Sequence, residues 1–141
     1  MKRIVVCLLL TAFCLTLWAC APKRITEKGS QHVPSTGVSQ IRVRHLPESP
    51  EYARTYKDPE KIKAVTDYID SLTLDVLFEE NPDEYSGSTW EITCTYTDGT
   101  EIILYHFGNL FFRVTGNEWR KMDAAQAQAF ADLIGRYASD E

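Results

Sequence analysis

His106 and Glu91 are the side chains whose chemistry could support catalysis, because a carboxylate can orient an imidazole that transfers protons or binds a metal ion. The hairpin pattern described below predicts that the two lie opposite each other on the outer face of a sheet. The sequence places no second histidine or cysteine beside them. A Glu–His contact across exposed strands is more often structural, so a small hydrolase or ligand-binding enzyme using this pair is the alternative hypothesis.

Cys94 is the other candidate nucleophile, since Cys7, Cys14 and Cys20 all lie near the N-terminus. The same hairpin pattern predicts that Cys94 points to the core face and His106 to the outer face. The two therefore cannot form a nucleophile–base pair. A single thiol on an apolar strand is more often a small buried residue than a reactive group.

The acidic run Glu79, Glu80, Asp83 and Glu84 could attract a cation, but it lacks the alternating ligands and central glycine of an EF-hand loop. A solvated charge cluster is the better interpretation. Phosphate-binding loops, dinucleotide fingerprints, zinc-type cysteine pairs and the Gly-x-Ser-x-Gly elbow are absent from the sequence. We therefore predict a non-enzymatic protein without a metal or other cofactor.

The N-terminus has the layout of a secretory signal peptide. Lys2 and Arg3 form a short basic segment, and residues 4–18 are uncharged and largely apolar. That stretch is shorter than the roughly 20 residues of a transmembrane helix, and the small residue Ala19 follows it. We predict that residues 1–19 are a leader.

Leu17-Trp18-Ala19-Cys20 resembles the lipobox of bacterial lipoproteins, although Trp18 is bulkier than the residue usual at its place. The resemblance implies cleavage before Cys20, a diacylglyceryl thioether on its sulfur, and attachment to the cell membrane on the extracytoplasmic side. More than one acyl chain is needed for firm anchoring. The leader is similar to those of small lipoproteins of Gram-positive bacteria. An unlipidated peptide cut after Ala19 or Ala21, or an uncleaved anchor, remains the alternative.

Charge and length limit the function further. Removal of the leader takes Lys2 and Arg3 with it, so 13 basic and 20 acidic residues remain and the net charge goes from −5 to −7. No basic patch is larger than Lys23 and Arg24, which makes nucleic acid an unsuitable partner. A chain of 141 residues allows one domain.

The rest of the sequence predicts a tether followed by one α+β domain. Residues 20–39 comprise the lipidated cysteine and a flexible segment, and residues 40–141 form the domain. A first strand starts near Gln40. Asp58-Pro59 begins a helix that runs to about Leu74, with an apolar stripe that reaches Val76. A last helix follows Asp123, with Gln126 in capping-box position, and its stripe is Phe130, Leu133, Ile134 and Tyr137.

Residues 90–114 predict a three-stranded meander, because Asp98-Gly99 and Gly108-Asn109 suit two-residue turns. These loops place Thr97 opposite Thr100 and Phe107 opposite Leu110. A further turn at Gly116-Asn117 brings Trp119 opposite Val114. The core face then comprises Trp90, Ile92, Cys94, Ile103, Tyr105, Phe107, Leu110, Phe112 and Val114. The whole is an antiparallel sheet of four to five strands, packed by two amphipathic helices.

The outer face of this predicted sheet carries Ile102, Leu104 and Phe111, which is more apolar than a solvated face requires. Either the loop Pro47 to Lys57 covers them or they bind a partner. The leading hypothesis is a lipid-anchored, non-enzymatic interaction module that binds an envelope protein or another envelope component. The order of elements resembles cystatin-like folds in architecture alone, which leaves an inhibitor as a third hypothesis without an inhibitory motif.

Overall fold

The computed structural model describes residues 26–28, 33–47, 49–75, 79–108 and 110–140. The predicted leader, Cys20 and Val76 lie outside these ranges. The described elements are β1 (Thr26–Lys28), β2 (Val38–Leu46), β3 (Arg54–Tyr56), α1 (Pro59–Ser71), β4 (Thr73–Asp75), β5 (Thr89–Tyr96), β6 (Glu101–Phe107), β7 (Phe111–Val114), β8 (Arg120–Lys121) and α2 (Ala124–Arg136). Short 3-10 turns occupy Pro50–Tyr52 and Pro82–Glu84.

The described strands form one antiparallel sheet in the order β1-β4-β8-β7-β6-β5-β2-β3. The α+β class with two helices is confirmed, but eight strands replace the predicted four to five. The additional strands are β1, β3 and β4, which have three residues each. Segments this short are fixed by their neighbours in the sheet and leave little periodicity in the sequence.

The domain begins before the predicted boundary at Gln40. Val33 is buried, β2 starts at Val38, and β1 pairs with β4 inside the range for which a tether was predicted. Some residues of the predicted tether are therefore part of the folded domain. Within the described ranges, no helix is long and apolar enough to cross a membrane.

Both helices begin at the predicted caps. The Asp58 carboxylate accepts hydrogen bonds from the Glu60 and Lys61 amides, and the Asp123 carboxylate accepts one from the Gln126 amide. The first helix ends at Ser71, three residues before the predicted end at Leu74. Leu74 lies instead on β4, where its side chain is buried.

The two helices cover one face of the sheet and enclose the core. Helix α1 contributes Ile62, Val65 and Ile69, and α2 contributes Phe130 and Ile134. The sheet residues of the same buried cluster are Ile41, Val43, Tyr56, Leu74, Ile92, Cys94, Leu104 and Phe112. The described residues of both predicted stripes therefore face the core.

The β5–β6 hairpin has a three-residue loop, so the predicted register is wrong by one residue. Tyr96, not Thr97, lies at the end of the ladder: its amide donates to the Thr100 carbonyl at 2.9 Å. Gly99 completes the loop with φ of +85°, a conformation that glycine adopts without a steric cost. Cys94 consequently pairs with Ile102 instead of Ile103.

The β6–β7 hairpin differs from the prediction by one residue as well, because Phe107 pairs with Phe111 and not with Leu110. Together the two deviations shift β7 by two residues relative to β5, which leaves its faces unchanged, so Phe112 faces the core as predicted. The one-residue shift of β6 inverts that strand, because a slip of one residue exchanges its two faces. Leu104 and His106 therefore face the core, and Ile103 and Tyr105 face outwards.

The C-terminal tail closes the β3 edge of the sheet. The Asp140 amide donates to the Thr55 carbonyl at 2.7 Å, and the Thr55 amide donates to the Ser139 hydroxyl at 2.8 Å. The Asp140 carboxylate also accepts from the backbone amides of Lys57 and Asp58 and pairs with the Lys61 ammonium. The Lys61 side chain, helped by the two amides, lowers the pKa of Asp140 to about 2.

Candidate functional site

The structure separates the predicted His106–Glu91 pair. His106 lies opposite Trp90 and Phe112 on the core face, whereas Glu91 lies opposite Arg44 and Tyr105 on the outer face. Glu91 accepts a hydrogen bond from Nε of Arg44 at 3.0 Å. The prediction that a carboxylate orients the imidazole is therefore wrong. The alternative hypothesis of a hydrolase needs His106 and Glu91 on the same face, and the structure places them on opposite faces.

His106 is enclosed by aromatic rings. Its side chain is 1% exposed and stacks on Phe130, with 5.0 Å between ring centroids. Phe112 lies edge-on at 6.5 Å. Neither ring nitrogen has a hydrogen-bond partner among the described residues. Burial lowers the pKa of His106 to about 4, which keeps the ring neutral near pH 7.

Cys94 is buried on the same face as His106, contrary to the prediction that they lie on opposite faces. They still do not meet, because Cys94 lies four residues along β5 from Trp90, the residue opposite His106, or roughly 13 Å at strand spacing. Burial raises the pKa of the Cys94 thiol to about 12. This thiol is a core residue and not a nucleophile.

The predicted interaction face is not assembled. Leu104 is fully buried on the core face, and Ile102, on that same face, packs against the core. Phe111 does lie on the outer face, but only 4% of it is exposed. The Pro47–Lys57 loop does not cover the outer face, since its Tyr52 contacts the His45 and Trp90 rings on the core-facing side.

Residues 81–88 instead lie over the end of the outer face near Phe107 and Phe111, and a cleft of about 370 Å³ lies between this segment and the sheet. Clefts of this size are typical of small-molecule sites. Four of its nine lining residues are aromatic, and one acidic and one basic side chain lie among them. The lining residues are Leu46, Pro82, Asp83, Tyr85, Thr89, Tyr105, Phe107, Arg113 and Trp119.

Contacts at both ends hold the covering segment in place. Pro82 is buried at the start of its 3-10 turn, and the Asn81 side chain caps that turn by accepting from the Asp83 amide. At the other end, the Gly108 amide donates to the Ser88 carbonyl at 3.2 Å. Gly87 passes so close to the sheet that a Cβ there would lie 3.2 Å from the Phe107 ring.

Arg113 is the polar centre of the cleft. Its guanidinium carbon lies 4.2 Å from the Trp119 ring centroid and 5.5 Å from that of Tyr105, so the cation packs against two aromatic rings. The Asp83 carboxylate lies 3.6 Å from Arg113 and accepts a hydrogen bond from Nε1 of Trp119 at 2.9 Å. These contacts fix the four side chains and balance the two charges.

A second depression, of about 310 Å³, shares Tyr85 and Phe107 with the first. It is bordered by Phe107, Leu110 and Phe111. Tyr85 and Leu110 are among the few large apolar side chains that are strongly exposed, at 52% and 36%. The two depressions and the Tyr85 ring that they share form one aromatic surface, which we call the aromatic cleft.

Sequence reasoning missed this site for two reasons. The acidic run was interpreted as a solvated cluster, whereas Glu80 pairs with Lys121 and Asp83 contacts Arg113 and Trp119. The inverted register also hid Tyr105, which the prediction placed in the core. The sequence contained one usable signal, since an aromatic residue, Tyr85, follows Pro82 within the charged loop. Among the described residues, no three metal-ligating side chains come together.

Comparisons with known proteins found no match for this chain. The sequence matches no family model and no curated protein, and the structure matches no solved structure, so the aromatic cleft itself is the basis for a functional conclusion.

Proposed function

We propose that this chain is a membrane-anchored, extracytoplasmic lipoprotein whose domain is a non-enzymatic binding module for an envelope component. The aromatic cleft is the observation that carries the binding role. It combines a concave aromatic surface with a few fixed polar groups, which is the usual construction of a ligand site. The lipobox-like sequence before Cys20 supports the anchor, and the acidic net charge argues against nucleic acid.

Fixed side chains favour binding at this place. Arg113, Asp83 and Trp119 hold each other through an ion pair, a hydrogen bond and a cation–π contact. A ligand that enters the cleft therefore does not have to order these groups, and ordering side chains is one of the main costs of association. Tyr85 is exposed above them and offers a large contact area.

The anchor is tested by replacing Cys20 with alanine. We expect the wild-type protein to sediment with membranes and to carry the mass of acyl chains on its N-terminal residue. The Cys20→Ala chain should be found without lipid and outside the membrane fraction. Intact-mass spectrometry and cell fractionation measure both. A wild-type protein of unmodified mass in the soluble fraction would contradict the anchor.

The binding role is tested by photocrosslinking in intact cells that produce the lipoprotein. Replacing Tyr85 with p-benzoylphenylalanine puts a photoreactive ring at the centre of the aromatic cleft. Replacing Tyr52, an exposed tyrosine that does not line the cleft, is the matched control. We expect a light-dependent adduct at position 85 and none at position 52. Absence of an adduct at position 85, or equal adducts at both positions, would contradict a binding role for the cleft.

A further inference from the structure

From the aromatic cleft we infer the class of ligand, an inference that depends on the proposed binding function. We infer that the cleft binds a neutral, hydroxyl-rich sugar chain, with one ring in each depression. The observations that carry this are the arrangement of the aromatic rings, the pairing of the charges, and an unused acceptor at the rim.

The aromatic rings suit the faces of sugars. A pyranose ring exposes C–H groups on its faces and hydroxyl groups at its edge, and polarised C–H groups pack favourably on the negative face of an aromatic ring. Tyr85 lines both depressions, which have volumes of about 370 and 310 Å³. Phe107 borders both depressions. Two successive rings of one chain can therefore contact aromatic side chains in the two depressions.

The pairing of charges argues against an ionic ligand. The cation of Arg113 has Asp83 at 3.6 Å and is packed between the rings of Trp119 and Tyr105. At the border of the second depression, the Glu80 carboxylate is paired with Lys121. An anionic ligand would have to compete with Asp83 for Arg113, and a cationic ligand that approaches Asp83 would meet the positive charge of Arg113 beside it. A neutral ligand meets neither obstacle.

Hydrogen-bonding groups remain available at the rim. Both contacts of the Asp83 carboxylate, with Trp119 and with Arg113, use Oδ1. Its Oδ2 accepts no hydrogen bond from the described residues and is free to accept from a hydroxyl group. The Asp83 side chain is 65% exposed, so this oxygen is accessible. Thr89 adds a hydroxyl group to the lining of the same depression.

Fluorescence titration of the mature lipoprotein in detergent tests the inference. Once the leader is removed, Trp90 and Trp119 are the remaining tryptophans, and Trp119 reports on the cleft. The ligands are three neutral trisaccharides (maltotriose, cellotriose and tri-N-acetylchitotriose), with anionic trigalacturonate and cationic chitosan trimer as charged counterparts. We expect a saturable change with at least one neutral trisaccharide and weaker binding of both charged ones.

Two matched variants test whether the sugar binds in the aromatic cleft. Tyr85→Ala should weaken the affinity for the neutral sugar by about tenfold, the loss expected for a central aromatic contact. Tyr52→Ala, which removes an exposed tyrosine elsewhere, should leave the affinity within about twofold of wild type. Because Tyr85 is half exposed, its loss should not unfold the domain, and thermal unfolding of both variants checks this.

Three results would contradict the inference of a neutral sugar ligand. They are no binding of any neutral trisaccharide, tighter binding of a charged one, or unchanged affinity in Tyr85→Ala. Photocrosslinking separates this failure from failure of the binding role itself. An adduct at position 85 that glycosidases leave intact, and in which mass spectrometry finds peptides of a second protein, would replace the sugar ligand with a protein partner and leave the proposed function intact. An adduct that glycosidases degrade supports the sugar chain.

Discussion

Replacing Leu104 with aspartate is expected to unfold the domain, whereas the same change at its neighbour Ile103 is expected to leave it folded. Leu104 is fully buried and pairs with Ile92 and Val114 on the core face. Burial of an unpaired carboxylate there should cost at least about 4 kcal/mol, a large part of the 5–15 kcal/mol that holds a typical domain together. Ile103 faces outwards opposite Thr93, so Ile103→Asp should cost about 1 kcal/mol.

Far-UV circular dichroism and urea unfolding of the two variants measure this difference. The pair is its own control, because the substitution is identical and the two positions are adjacent on β6. A stable Leu104→Asp domain beside an unfolded Ile103→Asp domain would reverse the faces of β6. That result would restore the register predicted from two-residue loops and would remove Tyr105 from the aromatic cleft.

His106 is expected to make the domain lose stability as the pH falls from about 6.5 to about 4. The pKa of a histidine is about 6.5 in the unfolded chain and is lowered to about 4 here by burial. Between these values the unfolded state binds the proton and the folded state does not, so acid favours unfolding. The loss approaches about 3 kcal/mol near pH 4, at about 1.4 kcal/mol for each pH unit of the pKa difference, and this contribution is fully retained above pH 6.5.

His106→Phe isolates this contribution. Phenylalanine keeps an aromatic ring against Phe130 and removes the titrating group, so the variant should lose much less stability between pH 7 and pH 4 than wild type. Urea unfolding at a series of pH values measures the difference, and taking the difference between the two proteins subtracts the titration of all other residues. Parallel pH profiles for wild type and His106→Phe would show that His106 titrates normally and is therefore not enclosed as described.

The parts of the fold that could be predicted are those in which a local interaction decides the structure. Asp58 and Asp123 cap their helices as predicted because a carboxylate satisfies free amides within its own turn. The apolar stripes on both helices and on β5 also face the core. In each of these cases the signal and the structure it determines are within a few residues of each other.

The orientation of β6 could not be predicted in the same way. Residues 102–105 are all apolar or aromatic, so the strand has no alternation that would correct an error in loop length. A difference of one residue in the loop at Asp98-Gly99 therefore decided whether Leu104 or Ile103 faced the core. The sequence on β5 and β7 stayed informative, because Thr93, Thr95 and Arg113 mark their outer sides.

The candidate site depended on a third kind of information, the path of a covering segment. Nothing local to residues 81–88 indicates that they lie over the sheet, since their contacts are with residues distant in sequence, such as Trp119 and Phe107. Trp119 itself was predicted opposite Val114, whereas its ring lies against Arg113. A cleft formed between distant segments is a tertiary property, and alternation within one strand cannot predict it.

The hydrogen bonds between the C-terminal tail and β3 affect how copies of the protein behave beside one another. A lipid anchor would confine the domains to two dimensions, where neighbours meet often. An open strand edge on such a surface invites sheet-to-sheet association. Because Ser139 and Asp140 already use the amide and carbonyl of Thr55, that edge offers fewer free groups to a neighbour. If the chain is anchored as proposed, the contacts of Ser139 and Asp140 would therefore reduce strand pairing between neighbouring copies.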